Sequence, residues 1–209
     1  MSTFSTDDLL ISLRIKGFGK AEALQEASGL AHADIESLLT GAVGQGWAEA
    51  TRVGYRLTPA GRASADAILD RERTTIAPQR MTHEYERFIP INDAFKQLVT
   101  RWQLRTVDGK QVRNDHADAD YDRAVLEALD RIHDDVSALL DAIARLVARA
   151  DAYRVRLSHA LGKIKAGDLR YMTAPDRDSY HTIWFELHQD LIGLCGTTRQ
   201  KEAAAGRAV

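Results

Sequence analysis

Apolar residues recur at steps of three and four along most of this chain, and the places where that rhythm breaks mark its joints. Leu9, Leu10, Leu13 and Ile15 predict a helix over residues 7–16, with Thr6 or Asp7 as its N-cap and two acids at the positive end of its dipole. Ala23, Leu24 and Ala27 predict a second over 21–28, ended by Gly29, which adopts positive φ without steric cost. Ile35, Leu38, Leu39, Ala42 and Val43 mark one face of a third over 32–43. The period then shortens. Residues 47–51 alternate large and polar side chains as an edge strand does, Arg52-Val53-Gly54 turns, and residues 55–58 return. Thr58 and Pro59 open another helix, as N-cap and first-turn proline, and its pattern fades near Arg73.

Residues 74–80, containing Pro78, read as a linker. Helical patterning resumes over 84–89, is interrupted by Pro90, and continues over 91–104 with Phe95, Leu98, Val99 and Trp102 on one side. Residues 106–117 read as a polar loop that turns at Asp108-Gly109. The most regular run follows. Val125, Leu129, Ile132, Val136, Leu139, Ile143 and Leu146 alternate steps of four and three, which predicts a long helix packed on other helices, within the chain or across a dimer. Tyr153, Leu157, Leu161 and Ile164 extend it after a break near Asp151. A last helix over 175–195 carries Tyr180, Trp184, Leu187, Leu191 and Leu194 on one face.

The expected fold is therefore mainly α. It comprises an N-terminal winged helix (three helices plus a short β-hairpin wing) over 1–73, a linker over 74–80, an all-α helical domain for ligand sensing or dimerisation over 81–196, and a flexible tail over 197–209.

The first segment resembles winged helix-turn-helix regulators of the MarR and PadR type over about residues 7–73. The resemblance rests on Gly29-Leu30 with Ile35 to Leu39, on Gly46-Trp47 entering the first strand, and on the run YRLTPAGR from Tyr55 to Arg62. It implies a transcription regulator that presents a helix and a wing to double-stranded DNA. The stretches YERFIPIN, WQLR, NDHADADYD and DSYHTIWFELHQDL are similar to parts of poorly characterised bacterial proteins that join a winged helix to a helical domain. That likeness implies one shared site and no established catalytic activity.

Composition narrows the partners. The chain carries 28 Lys and Arg against 30 Asp and Glu, so net charge alone does not announce a nucleic acid. Within residues 1–73 acids outnumber bases, and residues 32–43 hold no Lys or Arg at all. A carboxylate facing phosphates is repelled, so any DNA contact has to lean on Lys16, Lys20, Arg52, Arg56 and Arg62, with His32 and Ser37 as the polar groups of the third helix. A protein-interaction module that regulates a partner enzyme is the alternative reading. The single cysteine, Cys195, excludes an internal disulfide framework and suits a reducing cytoplasm. The N-terminus lacks the pattern of a signal peptide, and no stretch is apolar for long enough to span a membrane.

For a small polar ligand the candidates are Tyr85, Trp102, Arg105, His116, Tyr180, His181, Trp184 and His188, polar and aromatic groups gathered in a few segments. His181 and His188 lie seven residues apart, too far to share one metal ion. Asp118, Asp120 and Asp122 echo half of a calcium loop, but Arg123 stands where such a loop needs glycine and Leu129 where it needs glutamate. Neither a metal nor another cofactor is expected. With no phosphate-binding glycine loop and no nucleophile elbow, the sequence reads as a non-enzyme.

Overall fold

The structure is a computed structural model that describes residues 4–197 and 199–204. Helix α1 (Thr6–Lys16) starts at Ser5, one residue before the expected caps. Ser5 Oγ accepts from the amide of Asp8 while the Asp8 carboxylate accepts from the amide of Ser5, closing a reciprocal box. Helices α2 (Ala21–Ser28) and α3 (His32–Gly44) follow, and Gly29 ends α2 in the left-handed conformation. Strands β1 (Ala48–Thr51) and β2 (Gly54–Leu57) form an antiparallel hairpin with Thr51 opposite Gly54. Thr58 then caps α4 (Pro59–Thr75), its hydroxyl accepting from the amide of Gly61 and donating to the carbonyl of Gly46.

Helix α5 (Pro78–Gln103) corrects two expectations. Its first residue is the Pro78 placed in the linker, which leaves only Ile76 and Ala77 between α4 and α5, and Ile76 is buried. Pro90 does not interrupt it. The ring lies on the exposed side and removes a single backbone donor, while Phe88, Asn92 and Phe95 are fully buried on the other side and hold the helix through the gap.

The expected polar loop contains a second hairpin, β3 (Leu104–Val107) with β4 (Lys110–Arg113). Asp108 and Gly109 both take positive φ, as a two-residue turn matched to strand twist requires. The region expected to be all-α is thus helical with one hairpin inserted.

Asp118 caps α6 (Ala119–Ala144), and a 3-10 turn (Ala148–Ala150) leads into α7 (Asp151–Lys165). The short α8 (Arg170–Thr173) precedes α9 (Tyr180–Leu194), which Ser179 caps five residues later than the sequence pattern suggested. A final turn of helix, α10 (Arg199–Ala204), stands where a flexible tail was expected, and residues 198 and 205–209 of that tail lie outside the described residues.

One continuous apolar core joins Leu9 and Leu13 of α1 to Phe88 and Phe95 of α5 and to Leu187 and Leu191 of α9. The heptad positions Val125, Leu129, Val136, Leu139 and Ile143 of α6 are buried within the single chain, where α6 packs on α5 and α7. The stripe that suggested a dimer is therefore already covered. α9 packs against α1, α4, α5 and α7, so residues 4–75 rest directly on the chain's last long helix. Among the described residues no helix is long and apolar enough to cross a membrane.

Candidate functional site

The site is built around α9, whose turns place Tyr180, Trp184 and His188 on one side and Glu186 and Asp190 on another. All five are buried. The aromatic side meets α5: Phe95 stacks on Trp184 with centroids 4.2 Å apart, Phe88 lies 5.6 Å from Trp184, and the indole N–H donates to Asn92 Oδ1 at 3.0 Å. Tyr85 donates to Glu202 of α10 and lies 3.2 Å from His188 Nε2. Tyr180 contacts His133 Nδ1 at 3.2 Å, and burial raises its phenol pKa. His181 is half-buried beside Phe95, and burial lowers its imidazole below the ordinary value.

The eight candidate ligand residues therefore separate into two groups. Tyr85, Tyr180, His181, Trp184 and His188 pack into a layer between α5 and α9. Trp102, Arg105 and His116 gather at the far end of α5, where β3–β4 begins. There His116 lies over Trp102, 4.4 Å between centroids, and its Nδ1 is 2.9 Å from Asp122 Oδ2. Asn114 bridges this group by donating to Asp122 and to the carbonyl of Trp102, and Arg105 lies 3.4 Å from Asp115. The expectation of one shared site is corrected, because aromatic surfaces on α5 and α9 fill the space between their own helices and carry none of the polar groups at the hairpin.

The ionic side of α9 holds what the sequence reading missed. Arg156 of α7 pairs with Asp178 at 2.7 Å and with Glu186 at 2.8 Å, and Lys16 of α1 shares Glu186 from the other direction. Arg149 bridges Asp190 and Glu72 of α4, reaching Glu72 Oε2 at 2.8 Å, while the Tyr153 hydroxyl donates to Asp190 at 3.1 Å. Burial opposes the charge on Arg149 and Arg156, yet the facing carboxylates outweigh it and raise both pKa values. Burial, and then Asp190, raises the Tyr153 phenol. The missed signal was periodic. Arg149, Tyr153 and Arg156 recur at steps of four and three, as Glu186 and Asp190 recur at four, so two stripes of opposite charge were set to face each other.

Beside this network lies a cavity of about 780 Å3 between α1 and α2 on one wall and the 3-10 turn and α7 on the other. Its apolar lining includes Ile11, Ile15, Leu30 and Val155, and Arg149, Arg156 and Glu186 reach it from the network. None of the eight candidate ligand residues lines it.

The candidate DNA contacts divide too. Lys16 is half-buried and its charge is taken up by Glu186, which leaves it poorly placed for a phosphate. Arg56 is exposed but paired across the hairpin with Glu49 at 2.6 Å, and His32 lies 3.9 Å from Glu36. Lys20, Ser37, Arg52 and Arg62 are exposed. Among the described residues Lys20, Arg52 and Arg62 form no ion pair, and no group of three residues is arranged to hold a metal ion. Cys195 lies 3.9 Å from the carbonyl of Met81, and burial pushes its thiol pKa up to about 12. Comparison with protein-family models, with curated proteins and with solved structures finds no match to this chain.

Proposed function

We propose that residues 4–75 form a winged helix-turn-helix and that the protein is a cytoplasmic regulator, in which this unit touches double-stranded DNA and the remaining helices sense a small ligand. The observation that carries the reading is the way the hairpin is fixed to the helices. Gly19, in the turn between α1 and α2, exchanges two 2.8 Å backbone hydrogen bonds with Tyr55 of β2. Gly54, which precedes Tyr55 in β2, has φ of 136°, and a Cβ there would come within 2.7 Å of the Gly19 carbonyl oxygen. A Cβ on Gly61 would lie 1.8 Å from the Trp47 oxygen. The glycines of the YRLTPAGR region therefore let backbones touch, and the hairpin projects as a rigid wing.

On such a wing Arg52 at the tip, Arg62 on α4 and Lys20 at the start of α2 supply phosphate contacts and no base readout. Three contacts give a slope of log affinity against log salt of roughly −2.7. Binding is therefore weak and salt-sensitive. Anisotropy titration of labelled duplexes and genomic fragments at low salt tests this: binding weakens steeply with added salt and disappears in Arg52→Glu/Arg62→Glu. No binding by the wild type at low salt overturns it.

The second reading, a module that regulates a partner enzyme by protein contact, is favoured by one observation. The exposed face of α3 offers His32, Asp34, Ser37 and Thr40 and no cation.

A further inference from the structure

We infer that the cavity between α1–α2 and α7 binds an amphiphilic organic cation, an amine carried on an aliphatic or aromatic body. This names the ligand class for the sensing half of the proposed function and does not depend on the DNA half.

Size and lining come first. A volume of about 780 Å3 is that of a small-molecule site, and Ile11, Ile15 and Val155 offer it an apolar bed. Val155 is 55% exposed and faces the cavity from the side of α7 opposite its buried Leu157 and Leu161.

Charge then selects the head group. Arg149 and Arg156, the arginines in the lining, are each held by two carboxylates and have little charge left to offer an anion. Arg149 with Glu72 and Asp190 carries a net negative charge, and Lys16 and Arg156 with Asp178 and Glu186 carry none. The α1–α2 wall adds Asp8, Glu22 and Glu26. Among the described residues these three form no ion pair, Asp8 bonding to Ser5 and Glu26 lying 3.5 Å from the Tyr171 hydroxyl.

Helix ends point the same way. The C-terminal turn of α2, through Ser28 and Gly29, opens onto the cavity with no basic residue to offset its partial negative charge. The positive N-terminus of α7 also borders the cavity, but Asp151 in its first turn already complements it. Carboxylates and carbonyl ends thus converge around an apolar bed that no unpaired Lys or Arg lines, with His159, edge-on to the Tyr171 ring, as the remaining base in the lining.

Because α1 and α2 belong to the winged unit and α7 to the helical remainder, an occupant bridges the two. Its binding energy is coupled to how the wing is held, provided the ligand prefers one arrangement of the two parts.

Three probes that share one body and differ in head group test the inference by calorimetry, without DNA: 4-phenylbutylamine, 4-phenylbutanol and 4-phenylbutyrate. The amine is expected to bind at least tenfold more tightly than the alcohol, and the carboxylate more weakly than either. Glu22→Gln/Glu26→Gln, two exposed substitutions that spare the buried network, removes the amine's advantage and leaves the alcohol unchanged. Val155→Trp, also exposed, fills the bed and abolishes binding of all three. Thermal melts establish that both variants are folded. Equal or tighter binding of the carboxylate, no binding of any probe at millimolar concentration, or amine binding indifferent to both variants overturns the inference. A protein that binds the amine but no DNA retains this site and loses the DNA reading.

Discussion

Tyr180, Trp184 and His188 on one side of α9, and Glu186 and Asp190 on the other, are equally withdrawn from water, yet they hold their neighbours by different physics. The aromatic side gains from area and dispersion, which are non-directional and tolerate another ring of similar size. The ionic side sets Arg149 and Arg156 against carboxylates on α4, on α9 and in the turn before α9, where attraction is largely offset by desolvation and depends on geometry. The aromatic layer supplies stability. The ionic network supplies position, tying α1 and α4 to α9 and α7.

The largest effect expected is that of Trp184→Ala, which empties a fully buried site and removes the hydrogen bond to Asn92. Urea denaturation should show a loss of about 3–5 kcal/mol, of which Trp184→Phe recovers the greater part. Arg156→Met is expected to cost about 3 kcal/mol by leaving Asp178 buried without its partner and Glu186 with Lys16 alone. Arg156→Lys should recover little, because an ammonium cannot reproduce the paired contacts of a guanidinium. Equal recovery by both conservative variants would erase the distinction between the two sides.

Asn92→Ala leaves the Trp184 N–H without its acceptor and should cost about 2 kcal/mol in the same assay. The smallest effect concerns pH. Burial depresses the imidazoles of His133 and His181 below 6.5, so just below that pH the unfolded chain binds more protons than the folded one. Their contribution is complete above about pH 6.5 and declines as pH falls through the depressed values. Comparing melting temperatures at about pH 7.5 and 5.5 in wild type and in His133→Gln/His181→Gln checks this, and a variant with an unchanged pH slope refutes it.

Much of the framework was legible because local rules place it. Gly29, Thr58-Pro59 and the α6 stripe carry their instructions within a few residues. Pro90 misled because its effect depends on which way the ring faces, a property of packing. The β3–β4 hairpin was legible in principle, since Asp108-Gly109 between Thr106-Val107 and Gln111-Val112 is a strong short hairpin signal, but exposed strands lack the alternating burial that would have flagged them. The division of the candidate ligand residues into two groups was hidden for another reason. Aromatic and polar residue types suit a pocket and a packed helix pair equally, and only the partner helix, set by folding, distinguishes the two. The cavity was hidden because its walls come from residues 4–30 and 148–186, and no local pattern links segments so far apart.

The pair between Lys16 and Glu186 has a consequence for how the molecule is made. Its partners are 170 residues apart in the chain, and Arg149 must reach back 77 residues to Glu72. During synthesis α1 emerges early and waits for α9, with its Lys16 end solvated and its flank uncovered. Only after α9 has left the ribosome do residues 4–75 acquire the support on which they rest, so this contact between distant segments is a late event in folding.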